Sequence, residues 1–228
     1  MQESQAREDR IKEHERKWQE SFERARTGIE GWPYFMDALS VPKRFRGKSI
    51  KNFVYHDPKE LNRCVDSIRN NQSVIILGGC GLGKTHLAIG LMQKWAEINL
   101  RLYERRFCWG GGNPEFIVTS DLLLKIKNTF SKTNPTETES DILDSYSRRS
   151  LLVLDDLGAE KNSDWSRTAI FTIINRRYMN LLPTIITSNK SLDEIGSEID
   201  DRLSSRFLEM GVVMNLTGKD HRLESFEK

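Results

Sequence analysis

The most specific chemistry in this chain lies in one short run, Gly78-Gly79-Cys80-Gly81-Leu82-Gly83-Lys84-Thr85, which satisfies the pattern G-x-x-x-x-G-K-[ST]. Glycines let consecutive backbone N–H groups turn into one concavity that holds phosphate oxygens. The helix that follows adds its positive N-terminal end. Lys84 can then reach the β- and γ-phosphates of a nucleotide, while the Thr85 hydroxyl ligates magnesium. A glycine-rich turn could match such a pattern by chance. This one directly follows the apolar run 73–77 and opens an amphipathic segment, the context the chemistry demands. His86 comes next and is grouped with Gly78 to Thr85 as a candidate nucleotide contact.

Three further constellations fit the same chemistry. Leu151-Leu-Val-Leu154 runs into Asp155-Asp156, and an acid at the carboxyl end of a buried parallel strand sits where such sheets bind ligands. Asp155 is the candidate for holding magnesium through water, and Asp156 for orienting and deprotonating an attacking water. The run Thr184-Ile-Ile-Thr187 leads into Ser188-Asn189, whose amide could hydrogen-bond a γ-phosphate or that water, or simply cap the strand. Arg202 and Arg206 stand four apart, one helical turn, and project the same way. They could supply charge to a γ-phosphate in trans, or form surface salt bridges with Glu198 or Asp200.

These residues need elements to position them. From about residue 70, short apolar runs at 73–77, 116–119, 151–154, 184–187 and 212–216 alternate with helical patterns at 85–100, 120–130 and 165–179. Unbroken apolar strands separated by helices predict an α/β fold with a parallel sheet covered on both faces. Ser120 or Asp121 is the expected cap of the second helix, and 131–140 reads as a polar loop. Residues 5–27 read as a charged helix with a narrow stripe of Ile11, Trp18, Phe22 and Ala25. Such a stripe must dock on this chain's own body or on a partner helix. Residues 28–42 read as a linker, followed by the basic run Lys43 to Lys48, a solvated loop or a phosphate contact. The expected domains are a helical partner-docking segment at 1–30, a linker and lead-in at 31–69, and a nucleotide-binding domain at 70–228. The segment 101–113, with Arg105, Arg106, Phe107 and Trp109 before three glycines, fits no element; an aromatic and basic loop would suit stacking on single strands.

Composition sets limits. In 228 residues, 37% hydrophobic and 30% charged is a soluble globular profile, and no apolar run approaches the roughly 20 residues of a membrane helix. Cys64, Cys80 and Cys108 are widely spaced, which speaks against a disulfide framework or a zinc site. The expected compartment is a reducing cytoplasm. A net charge of +2 is too balanced to argue for or against nucleic acid.

Taken together, the motifs resemble the AAA+ ATPases, and most closely the helicase loaders of the DnaC/DnaI kind with the transposition helper ATPase IstB, which shares their core. The resemblance covers about 41–222. It is carried by Val41-Pro-Lys-Arg-Phe45, Asn52-Phe53, the glycine-rich loop, Leu151 to Ala159, Ser163-Asp-Trp165, Ile173 to Tyr178, Leu182 to Asn189 and Arg202-Leu-Ser-Ser-Arg-Phe207. It implies a five-stranded parallel sheet of order 5-1-4-3-2, ATP and Mg2+ as cofactors, and ATP hydrolysis that is slow or DNA-stimulated. It also implies ATP-dependent self-assembly. By the same likeness Asn189 is the sensor-1 residue, Arg206 the better candidate for the trans-acting finger with Arg202 second, and Arg222 a sensor-2 candidate. Two departures stand out: Asp156 where AAA+ proteins commonly carry Glu, and the lack of a full C-terminal helical lid.

The first function this implies is loading a hexameric replicative helicase, held through about 1–30 with Trp18 and Phe22, onto single-stranded DNA. The second is an IstB-like helper that assembles on DNA and recruits a transposase. A small-molecule kinase fits less well, since no acceptor pocket is readable. A nucleotide-dependent switch with negligible turnover is the fourth possibility.

Overall fold

The computed structural model describes residues 36, 39–103, 114–130, 137–159, 163–218 and 220. The predicted N-terminal helix with Trp18 and Phe22, most of the 101–113 segment, the 131–136 stretch and Arg222 lie outside them. The chain divides into two compact units, Met1–Gly47 and Lys48–Lys228. In the first, the basic run begins as a 3-10 turn, Lys43–Phe45, with no acid in it. Arg46 Nε donates back to the Val41 carbonyl at 3.4 Å.

In the second unit, β1 (Ser73–Leu77), β2 (Glu115–Val118), β3 (Leu152–Leu157), β4 (Thr184–Ser188) and β5 (Gly211–Asn215) form one parallel sheet. Its order is β2-β3-β4-β1-β5, the expected one read from the other edge. β1 and β4 are buried at every position, so apolar and β-branched residues run through them without alternation, as a sheet covered on both faces requires.

Seven helices flank the sheet among the described residues: α1 (Pro58–Arg69), α2 (Lys84–Tyr103), α3 (Thr119–Lys127), α4 (Glu139–Ser147), α5 (Asp164–Met179), α6 (Leu192–Glu198) and α7 (Asp201–Met210). Ile75 and Leu77, Leu152 and Leu154, and Ile186 build one core with α3 to α7, through side chains such as Leu122, Ile142, Ile173 and Phe207. The alternate strand residues point to the other face, where α1 and α2 lie against the sheet.

The structure departs from the sequence reading at three elements. The lead-in before residue 70 is not only a linker: it carries α1, with Asp57 accepting from the Lys59 and Glu60 N–H groups and Pro58 in the first turn. The helix after β2 begins at Thr119 without a side-chain cap, so neither Ser120 nor Asp121 caps it, and it ends at Lys127 rather than 130. The polar stretch read as a loop to 140 gives way to α4 at Glu139, started by a capping box in which Thr138 and Asp141 satisfy each other's backbone N–H.

Candidate nucleotide site

The loop between β1 and α2 sits at the carboxyl edge of the sheet, and β3 and β4 end beside it. The strand order sets this, with β4 lying between β1 and β3. That order brings together residues 105 positions apart. Lys84 Nζ donates to the Gly78 carbonyl at 2.8 Å, to the Gly79 carbonyl at 2.6 Å and to Asn189 Oδ1, 105 residues on, at 2.6 Å. Asn189 Nδ2 in turn donates to Asp156 Oδ1 at 2.9 Å. An ammonium, an amide and a carboxylate thus form one chain across three strand ends. A phosphate reaching Lys84 would compete directly for the donor that holds Asn189.

A second set lies beside it. The Thr85 hydroxyl donates to the Asp155 carboxylate at 3.0 Å, and Thr187 Oγ1 donates to Asp155 Oδ1 at 2.6 Å. Thr187 Oγ1 also accepts from the Asp156 N–H at 2.8 Å. Thr187 therefore fixes both acids, a role the sequence reading did not assign; its place two residues before Asn189 on a strand beside β3 was the available signal. The hydroxyl and carboxylate oxygens at Thr85 and Asp155 are hard donors suited to Mg2+, which binds proteins through a few oxygens and keeps several waters.

The two acids differ in environment. Burial pushes the Asp155 carboxyl above its ordinary value of 3.8, and the nearby charge of Asp156 adds to the rise; the Thr187 and Thr85 hydroxyls and the Lys84 charge oppose it. Asp156 is less buried and has a left-handed backbone, φ 58°, at an irregularity in the β3–β4 register between Leu154 and Leu157. The bulge turns its side chain toward Asn189 rather than into the sheet.

The raised pKa of Asp155 means that the folded chain takes up this proton more readily than the unfolded one. The group favours folding below its ordinary pKa, and that contribution is lost as pH rises through the folded value. Asp155→Asn is therefore expected to stabilise the nucleotide-free chain at neutral pH by about 1 kcal/mol. Its amide oxygen can still accept from Thr187 and its amino group can donate to Thr85. Thermal melting at neutral and acid pH checks this; the gain should shrink as the pH falls toward the carboxylate range.

The lead-in covers the start of α2. His86 Nε2 is 3.0 Å from the Ser49 carbonyl and 2.7 Å from Asn52 Oδ1, so its ring is engaged by the lead-in. The Phe53 ring lies edge-on to His86, 5.3 Å between centroids, and is stacked with Tyr55 at 6.2 Å. A Cβ built on Gly83 would come within 3.0 Å of Phe53 Cε2. This aromatic wall beside the loop was not read from the sequence as a site feature.

The arginines sit together on another surface. Arg202 stacks on the Phe171 ring at 3.8 Å and Arg206 at 4.8 Å, so they do project the same way. Arg202 is clamped by Asp200, with Nη2 to Oδ2 at 2.6 Å and Nε to Oδ1 at 2.9 Å, the salt bridge that was the plainer reading. Arg206 Nε donates to Asn175 Oδ1 at 2.9 Å. Within the described residues their partners lie on α5, on α7 and at Asp200, not on the glycine-rich loop.

Fold and loop geometry define a P-loop nucleotide-binding protein of the AAA+ class. The chain belongs to the family described as IstB-like ATP binding protein, whose profile matches residues 52–224. Among curated relatives, an ATP-binding protein of insertion sequence IS5376 from Geobacillus stearothermophilus is 28% identical over 161 residues, 68% of this chain and 57% of that protein. The replicative helicase loader DnaC of Escherichia coli K12 is 28% identical over 137 residues, 60% of this chain and 50% of that protein. The chain thus spans about half the length of these relatives. The crystal structure of the DnaC helicase loader matches with a TM-score of 0.59 and 27% identity, covering 77% of this chain and all of that one. The crystal structure of DnaI matches in fold with a TM-score of 0.61 at 19% identity, over 79% of this chain and 94% of that one. No described helix is long and apolar enough to cross a membrane.

Proposed function

We propose that this chain is a magnesium-dependent ATPase that loads a hexameric replicative helicase onto single-stranded DNA. The observation that carries the ATPase half is the chain Lys84–Asn189–Asp156 beside Thr85–Asp155. In this reading the N–H groups of Gly78 to Thr85 cradle the phosphates and Lys84 leaves Asn189 for the β- and γ-oxygens. Thr85 and Asp155 would hold Mg2+, which supplies charge neutralisation to the phosphates. Asn189, released by Lys84, orients the attacking water, and Asp156 accepts its proton. The Phe53 and Tyr55 wall is the candidate platform for the base. Arg206, with Arg202 second, would act on the nucleotide of a neighbouring copy, and Arg222 remains the sensor-2 candidate.

The loader half rests on the likeness to the DnaC helicase loader and on one surface. Phe130 is 56% exposed and lies edge-on to Trp165 at 5.4 Å, with Lys127 Nζ 5.4 Å from the Trp165 ring centroid. An exposed ring at Phe130, beside the half-buried Trp165 and its lysine, suits bases of a single strand, which stack on aromatic faces while cations meet the backbone. Phe130→Ala is expected to weaken single-stranded DNA binding by roughly tenfold, read by fluorescence anisotropy, with ATP binding unchanged. Equal DNA affinity in the variant would remove this surface from the reading.

The transposition helper stands as the second reading because the insertion-sequence relative is as similar to this chain as the loader is. The client decides between them. Affinity capture in ATP and magnesium, with Trp18→Ala as control, should recover the replicative helicase and lose it in the variant. Recovery of a transposase in its place would overturn the loader reading and leave the ATPase reading standing.

A further inference from the structure

After β5 the chain does not leave the site. The Leu216 N–H donates to the Leu77 carbonyl at 2.7 Å, prolonging the β5–β1 pairing up to the glycine-rich loop. A Cβ built on Gly78 would lie 2.4 Å from the Leu216 carbonyl oxygen. Tyr55 ties the aromatic lead-in to the same segment, its hydroxyl 3.4 Å from the Asn215 carbonyl and hydrogen-bonded to Thr217. At Gly81, φ is +74°, and a Cβ built there would lie 1.7 Å from Asp220 Oδ1 and 2.4 Å from Oδ2. The Asp220 carboxylate therefore rests directly on the backbone of the phosphate loop, at a position where only glycine leaves room.

A carboxylate in that place is unsuited to phosphate. Its charge opposes the triphosphate that the loop is built to hold. The part of a nucleotide next to the phosphates that is neutral and rich in donors is the ribose, and a carboxylate accepts hydrogen bonds only. Asp220 on Gly81 and Phe53 beside Gly83 flank the same loop, with Tyr55 joining the lead-in to Asn215 and Thr217. Resting on the ATP-site reading above, we propose that Asp220 is a specificity residue that accepts a hydrogen bond from a ribose hydroxyl of the bound nucleotide. The chain then selects ribonucleotides over their deoxy counterparts.

The test is binding of ATP, 2′-deoxy-ATP, 3′-deoxy-ATP and inorganic tripolyphosphate to the full chain and to Asp220→Ala and Asp220→Asn, by calorimetry in magnesium. Hydrogen bonds to charged groups are the stronger kind, so the wild-type chain should prefer ATP to one of the deoxy analogues by at least about tenfold. Asp220→Ala should bring ATP down to that analogue's affinity and leave tripolyphosphate unchanged, with Asp220→Asn in between. Two results would overturn the proposal: equal binding of ATP and both analogues by the wild-type chain, or a rise in affinity for ATP and tripolyphosphate alike in Asp220→Ala. The latter would make Asp220 a repulsive plug. A wild-type chain that binds neither ATP nor tripolyphosphate would instead sink the nucleotide-site reading itself, and this assignment with it.

Discussion

Replacing Arg177 with methionine is expected to destabilise the Lys48–Lys228 unit by about 3–5 kcal/mol, because several buried oxygens lose their donor together. Arg177 is fully buried, and among the described residues its guanidinium donates to uncharged oxygens. Nε donates to Thr184 Oγ1 at 2.8 Å, Nη1 to the Tyr146 and Arg149 carbonyls at 3.1 and 2.7 Å, and Nη2 to the Pro183 carbonyl at 2.6 Å. Burial, with the like charge of Arg149, lowers its pKa to about 9, so it stays cationic at neutral pH. What stands in for a counter-ion is the carboxyl end of α4, whose last carbonyls carry the negative end of the helix dipole. Methionine fills the volume but leaves those carbonyls buried without donors, each costing about 1–3 kcal/mol. For a unit of this size the melting temperature should fall by on the order of 10 °C. Lysine should rescue only part, since one ammonium cannot span oxygens set for a planar fork. A methionine variant melting within about 2 °C of the wild type would mean that Arg177 does not join α4, α5 and β4 as the geometry indicates.

Arg177 also shows what could not be read in advance. Its neighbour Tyr178 helped mark the family resemblance, but nothing in the local pattern says that this arginine, and not Arg176, points inward. That depends on the register of α5 against β4 and on α4, whose first two residues fall in the stretch read as loop. α4 hides because its start lies in a run of Thr, Glu and Ser; the Thr138 and Asp141 pair is the signal that could have located it. α1 carries signals that were available: Asp57 and Pro58 open it, and Leu61, Cys64, Val65 and Ile68 fall at helical spacing. β1 and β4 were legible because burial at every position leaves their apolar runs without alternation. The loop Gly78 to Thr85 was legible because its geometry admits few residue types. Thr187 and the left-handed Asp156 were not, since each takes its role from a neighbour one strand or one bulge away.

That bulge sets the terms of the second large effect. Asparagine is as much at home as aspartate in the left-handed region, where these residues are enriched among non-glycines. Asp156→Asn should therefore keep the φ of 58°, the N–H bond to Thr187 and a partner for Asn189, and lose only the basic oxygen. If Asp156 takes the proton of the attacking water, turnover should drop by about 10²- to 10⁴-fold with ATP affinity unchanged. Lys84→Ala should behave in the opposite way and lose the nucleotide outright, if its ammonium takes the phosphates as proposed. Single-turnover hydrolysis and equilibrium binding, measured on both variants, separate the two roles. Asp156→Glu is the sharper control. It keeps a carboxylate and matches the residue that AAA+ proteins commonly carry, yet it sets a longer side chain on a backbone that favours Asp. Partial loss in Asp156→Glu with full loss in Asp156→Asn would mean that the acid is needed and the bulge aims it. Equal turnover in Asp156→Asn and the wild type would remove Asp156 from the proton's path and leave the Asn189 contact as its only role in the site.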